Sequence, residues 1–115
     1  MSNYLLKLAK TIQSKKNDDV TKSYTSFLLS KGFSGCLDKF KEESEEFSEA
    51  IKKNSNIIHE SADVIYHFLV TLESRGVKFT DVIKELEKRK IHSGHEEKKS
   101  RIKWNMIKII FLLRS

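Results

Sequence analysis

Lys39-Phe40-Lys41-Glu42-Glu43-Ser44-Glu45-Glu46-Phe47 and His59-Glu60-Ser61-Ala62-Asp63-Val64-Ile65-Tyr66-His67 are the two stretches around which this 115-residue chain is organised. Each carries carboxylates three residues apart, Glu43 with Glu46 and Glu60 with Asp63. On a helix such positions are neighbours on one face. Two such helices packed together bring four carboxylates to one place. Like charges repel, and burial raises the cost further. A divalent cation offsets both, and an all-oxygen ligand set favours Mg²⁺ or Mn²⁺ over zinc. Glu-rich helices are also common on solvated surfaces, and an isolated E-x-x-E is usually one of them. The second pair is different, because Ile57, Ile58, Ala62, Ile65, Phe68 and Leu69 surround it with apolar side chains.

Working outward, the pattern is helical throughout. The chain has no proline, 4 glycines and 38% hydrophobic residues, which favours helices with short connections. Leu5, Leu8, Ala9 and Ile12 place a helix over 3–16. A loop is expected over 17–25, with Ser23 or Thr25 as a cap. A short helix over 26–31 carries Phe27 and Leu28, and Gly32 breaks it. Ser34 then caps a helix over 35–53 with Cys36, Leu37, Phe40, Phe47 and Ile51 as core, Ser44 in the same stripe, and Glu43 and Glu46 to its side.

Asn54, Ser55 and Asn56 punctuate the chain. The next helix, 56–74, has Ile58, Ala62, Ile65, Phe68, Leu69 and Leu72 as its apolar face. Two antiparallel helices joined by so short a turn set the acidic pairs side by side. Gly76 suits the left-handed position after this helix, and Thr80 is expected to cap a last helix over 81–91. The fold class is therefore all-α: a compact bundle of four principal helices, with a fifth in reach at the C-terminus. The organisation expected is a domain over 1–101 and an apolar, basic extension over 102–115.

Other classes are excluded by what is missing. Cys36 is the sole cysteine, so no intrachain disulfide forms. Beside Leu37 it reads as core, with a free thiol in a reducing compartment. No signal peptide or membrane span is evident, so a cytoplasmic location is expected. The net charge of +6 resides in residues 89–115, with 8 basic and 2 acidic residues; residues 1–88 carry 14 of each. A nucleic-acid-binding stripe along the domain is not indicated. No Walker A or dinucleotide-binding glycine pattern occurs. His67 reads as a packed, hydrogen-bonded side chain; His59 stands beside Glu60, either tuning it or exposed. His92 and His95, with Cys36, make no zinc pattern.

The motif order E-x-x-E, thirteen intervening residues, E-x-x-D resembles the all-α nucleoside-triphosphate pyrophosphohydrolases, the MazG-like superfamily. Within it the chain most resembles phosphoribosyl-ATP pyrophosphohydrolase of histidine biosynthesis. That family's S-Y-T-x-x-L, K-V-G-E-E-x-x-E and E-x-A-D-x-x-Y-H are matched by Ser23-Tyr24-Thr25-Ser26-Phe27-Leu28, by Lys39 to Glu46 and by Glu60 to His67. Arg75-Gly76-Val77, Asp81-Val82, Ser93-Gly94 and Glu97-Lys98 extend the likeness, which covers residues 3–101. Lys41 stands where the family usually has Gly, and Ser44 where Ala is common.

The resemblance implies Mg²⁺-dependent hydrolysis of phosphoribosyl-ATP to phosphoribosyl-AMP and pyrophosphate, with Mn²⁺ as a substitute. Glu43, Glu46, Glu60 and Asp63 are the implied metal ligands. Glu42 and Glu43 are the catalytic candidates, Glu42 to orient water or take its proton. Ser23, Tyr24, Thr25, Lys39, Arg89 and Lys98 are substrate contacts. Arg89 fits equally well as a helix-end cation. A homodimer or higher homo-oligomer with sites near subunit interfaces is implied too. Two other readings stay open at this point: a house-cleaning nucleotide pyrophosphohydrolase using the same carboxylates, and a non-enzymatic helical interaction module. The apolar segment Trp104 to Leu113 is too short to span a bilayer. It is expected to dock on the domain or a partner subunit, with membrane contact as the alternative.

Overall fold

The computed structural model describes residues 2–90 and, beyond them, residues 105, 107 and 108. Every regular element among the described residues is a helix: α1 (Ser2–Ser14), α2 (Tyr24–Ser30), α3 (Gly32–Lys53), α4 (Ile57–Ser74) and α5 (Phe79–Lys90). The described residues fall into two compact units, the first ending at Thr80 and the second beginning at Asp81. The first unit is a bundle. α3 and α4 make an antiparallel hairpin, α1 packs on α4, and α2 packs on both α3 and α4. Its core is Ile12, Leu28, Cys36, Leu69 and Val70, so all four helices contribute.

Local chemistry fixes the ends. Ser23 has extended backbone and its hydroxyl accepts the Ser26 N–H at 3.1 Å, the usual service of an N-cap. Ser26 is buried and donates its own hydroxyl to the Asp18 carbonyl, tying the preceding loop to α2. α3 stops where Asn54 turns left-handed, at φ 52°, and the Ser55 N–H closes back on the Ala50 carbonyl at 3.1 Å. Gly76 ends α4 in the same way, at φ 71°, with the Val77 N–H on the Leu72 carbonyl. The α3–α4 connection is therefore only three residues, and the two helices must run side by side.

Several expectations need correction. Ser34 is not an N-cap: Gly32, at φ 75°, turns the chain within one residue, and α3 starts there behind Lys31. Thr80 lies inside α5, which starts at Phe79, a residue packed against the core of the first unit. Leu37, Ile51, Ile58, Ala62 and Ile65 are exposed rather than core, Ile58 at 88%. α1 and α2 bury Leu69 and Val70 in the C-terminal half of α4 but leave the apolar stripe of its N-terminal half uncovered. Glu43 does not lie to the side of the α3 stripe. It is seven residues from Cys36 and seven from Ala50, so all three share one face, and each is buried.

Candidate metal and nucleotide site

The register of the α3–α4 hairpin builds the site. The Thr71 hydroxyl lies 3.3 Å from the Cys36 carbonyl, and Phe40 packs against Phe68 with centroids 6.3 Å apart. Three turns along, the same pairing sets Glu43 and Glu46 against Glu60. Ligand oxygens of Glu43, Glu46 and Glu60 all lie within 4.8 Å of one another. Asp63 is not in that trio. It joins a second one with Glu60 and His59, whose Nε2 lies 3.3 Å from the Asp63 carboxylate. Glu60 thus belongs to both groups. The contact of His59 with Asp63 follows from their four-residue spacing, a signal present in the sequence and unused there.

The donor set fits a hard divalent cation. Glu43 is 6% exposed, and its Oε2 and the Oε2 of Glu60 are buried without a hydrogen-bond partner among the described residues. Leaving such oxygens unpaired is costly, and a cation is the partner that serves both. The Glu46 carboxyl is held above its ordinary value of 4.5, chiefly by its hydrogen bond with Glu43 and the Glu43 charge, then by burial, Glu60 and Glu42. The folded chain therefore keeps this proton to higher pH than the unfolded chain does. Metal-free protein is expected to lose stability as pH rises from about 4.5 through the raised value, because the folded state binds more protons in that window. Millimolar Mg²⁺ is expected to flatten that slope and to release the proton on binding. Thermal melts from pH 4 to 8 with and without Mg²⁺ check both signs. A melting temperature that rises across this window without metal defeats the expectation.

Beside the cluster stands Lys39. Its ammonium is 3.4 Å from Glu42 and 3.5 Å from Glu43. Partial burial alone would pull Lys39 down; the charge of Glu42, with Tyr24 and Glu43, outweighs it and holds the group raised. Lys39 is thus a fixed cation next to the carboxylates, in electrostatic range of the Tyr24 phenol. Tyr24 opens α2, is 52% exposed, and stacks on Tyr66 with centroids 6.4 Å apart. Thr25 shares a hydrogen bond with the Tyr66 hydroxyl, and Ser23 is spent on its cap. Of the three hydroxyl residues, Tyr24 is the one that projects outward. Glu42, Glu46, Glu49, Lys53 and Glu60 line an open groove of about 470 Å³ along the outer side of the cluster.

Arg89 belongs to the second unit, where its Nε lies 3.4 Å from Glu85. Lys98, His92, His95, Ser93-Gly94 and the segment 104–113 as a unit lie outside the described residues. Cys36 is buried, donates to the Leu28 carbonyl at 3.2 Å, and burial pushes its thiol up, which is the profile of a core residue rather than a nucleophile.

The family model described as phosphoribosyl-ATP pyrophosphohydrolase matches residues 5–90. The chain belongs to that family. Its members include a phosphoribosyl-ATP pyrophosphatase of Paracoccus denitrificans (strain Pd 1222), 46% identical over 99 residues, covering 84% of this chain and 92% of that protein. The phosphoribosyl-ATP pyrophosphatases of Ruegeria pomeroyi (45% identical over 98 residues, 84% of this chain and 93% of that one) and Dechloromonas aromatica (43% over 99 residues, 84% and 92%) are similar to it as well. The match takes in α1 from Leu5 through α5, and so includes every carboxylate of the cluster.

Proposed function

We propose that this chain hydrolyses the anhydride between the α and β phosphates of phosphoribosyl-ATP, giving phosphoribosyl-AMP and pyrophosphate in histidine biosynthesis. The observation that carries the reading is the convergence of Glu43, Glu46 and Glu60, two of them with buried unpartnered oxygens, in a chain of this family. These three residues, with Asp63 at the Glu60 edge, would hold Mg²⁺ or Mn²⁺. When bound, that cation neutralises triphosphate charge and makes water easier to ionise.

The chain's own groups do the rest. Lys39 is positioned to meet a phosphate oxygen, and Tyr24, in electrostatic range of Lys39, gives an exposed aromatic surface. Glu42 is exposed beside Lys39 and lines the groove, so it orients the water and takes its proton as the water oxygen bonds to the α phosphorus. The bridging oxygen leaves with pyrophosphate. Arg89 and Lys98 are kept as further phosphate contacts, the catalytic domain as residues 1–101, and the cytoplasm as the location. No helix among the described residues is long and apolar enough to cross a membrane. The deciding experiment offers phosphoribosyl-ATP, ATP, dUTP and dCTP with Mg²⁺ and resolves products by chromatography. Phosphoribosyl-AMP and pyrophosphate are expected to dominate. Preferential cleavage of dUTP or dCTP would assign the site to nucleotide house-cleaning instead.

A homodimer or higher homo-oligomer belongs to the same proposal. Ile58, Ala62 and Ile65 form an exposed apolar stripe on α4. A second copy would cover it. Sedimentation at micromolar concentration is expected to show at least a dimer, and Ile65→Asp to shift it toward monomer. A wild-type chain that is monomeric and fully active refutes this part.

A further inference from the structure

His67 is the third buried polar group of this face, and the reaction as described leaves it unused. It follows Glu60 by seven residues and Asp63 by four, so all three share one stripe of α4. It is only 6% exposed. Its Nδ1 lies 2.8 Å from the Asp63 backbone carbonyl. A carbonyl only accepts, so Nδ1 carries the proton and donates it. In the neutral ring Nε2 is then a bare lone pair, an acceptor. That nitrogen is buried and has no hydrogen-bond partner among the described residues. The Tyr66 ring meets the imidazole edge-on at 5.0 Å and the Tyr24 ring at 6.3 Å. An apolar ring would fill this place without leaving a buried acceptor unpaired.

The order of groups along the hairpin says what the acceptor is for. The carboxylates come first, Lys39 and His67 stand at one level of the hairpin register, and Tyr24 borders both. A nucleotide laid along this line puts its phosphates at the carboxylates and Lys39, and a flat base near the exposed Tyr24. Its sugar then falls beside His67. We infer that Nε2 of His67 accepts a hydrogen bond from a hydroxyl of the ribose next to the triphosphate, and so selects ribonucleotides over deoxyribonucleotides. His67 is in this sense a positioning and specificity residue. The inference rests on the proposed reaction for the direction in which the nucleotide lies.

Two measurements test it on the full chain. The first compares kcat/KM for phosphoribosyl-ATP and for its 2′-deoxy and 3′-deoxy counterparts in the wild type, His67→Asn and His67→Gln. Asn reproduces the Nδ1 position and lacks Nε2, whereas the Gln amide oxygen reaches the place of Nε2. The wild type is expected to favour the ribose form over one deoxy form by roughly 10–100-fold, the scale of losing one bond to a buried acceptor. His67→Asn should erase that ratio and His67→Gln should restore part of it. Equal loss on ribose and deoxy substrates would make His67 a packing or water-activating residue and overturns the inference.

The second measurement follows the ¹⁵N resonances of His67, identified by their loss in His67→Asn, while Mg²⁺ and a non-hydrolysable ATP analogue are added. The Nε2 signal is expected to move toward the hydrogen-bonded range with the ribose analogue and not with its 2′,3′-dideoxy form. The same shift with both, or with neither, overturns the inference. A wild type that binds the analogue with this shift but leaves phosphoribosyl-ATP uncleaved sinks the proposed reaction and keeps the role of His67.

Discussion

Glu46→Gln is expected to raise the melting temperature of the metal-free protein above pH 6 and, in the same molecule, to remove most of the hydrolytic activity. The two effects have one cause. Glu46 stands with Glu43 and Glu60 inside a 4.8 Å cluster, and Glu43 is the main reason its carboxyl resists ionisation. At neutral pH the folded wild type must either ionise Glu46 against that repulsion or hold a proton the solvent would take. An amide keeps the shape and the hydrogen bond to Glu43 without the charge, so the folded state gains. The cation loses a ligand charge at once. Activity should fall by about 10²–10⁴-fold, the scale of removing one group that acts on the reacting water or its metal. The stabilisation that Mg²⁺ gives the wild type, which follows from binding the native state alone, should shrink to little or nothing.

Asp63→Ala should lose activity too, but with a smaller change in metal-free stability, since Asp63 faces His59 rather than Glu43. Melting curves with and without Mg²⁺, direct metal titration and kcat on one set of variants separate these outcomes. Near-normal kcat in both Glu46→Gln and Asp63→Ala would dismiss the carboxylate cluster as the reaction centre.

The helices were legible because their signals are local. Ser23 has a hydroxyl three residues ahead of an N–H that needs one, and Gly76 and Asn54 tolerate the left-handed turns that end α4 and α3. The acidic pairs were legible for the same reason, since a three-residue spacing fixes a common face before any tertiary contact forms. What was not legible depends on how far each neighbour reaches. Ile58 and Ile65 look as apolar as Leu69, yet of the three only Leu69 joins the core that α1 and α2 help to build, and nothing in the α4 sequence records the length of α1. A carboxylate in a core stripe is improbable; the structure buries Glu43 there, and that improbability is what marks the site. The acceptor on His67 was hidden more deeply. It needs the Asp63 carbonyl to choose the tautomer, with two tyrosine rings set edge-on to the imidazole.

Ile12→Ala should produce the opposite pattern to Glu46→Gln: a large loss of stability with the site retained. Ile12 is 1% exposed and belongs to the one cluster that joins α1 to α4, with Leu69 and Val70 beneath it. Truncation there removes three buried carbons and leaves a cavity between two helices, a change that typically costs 2–5 kcal/mol for Ile→Ala, taken here as about 3. For a unit of this size that corresponds to a fall in melting temperature of roughly 10–20 °C. The α3–α4 hairpin carries all four carboxylates, and none of them comes from α1. Below its own melting temperature the variant should therefore bind Mg²⁺ with near wild-type affinity, and saturating Mg²⁺ should raise its melting temperature by about as much as it raises that of the wild type. Calorimetric melts with and without Mg²⁺, paired with a titration well below the transition, measure both quantities. Loss of metal binding by folded Ile12→Ala would mean that α1 holds α4 in register against α3, and the site would then depend on the whole bundle rather than on the hairpin.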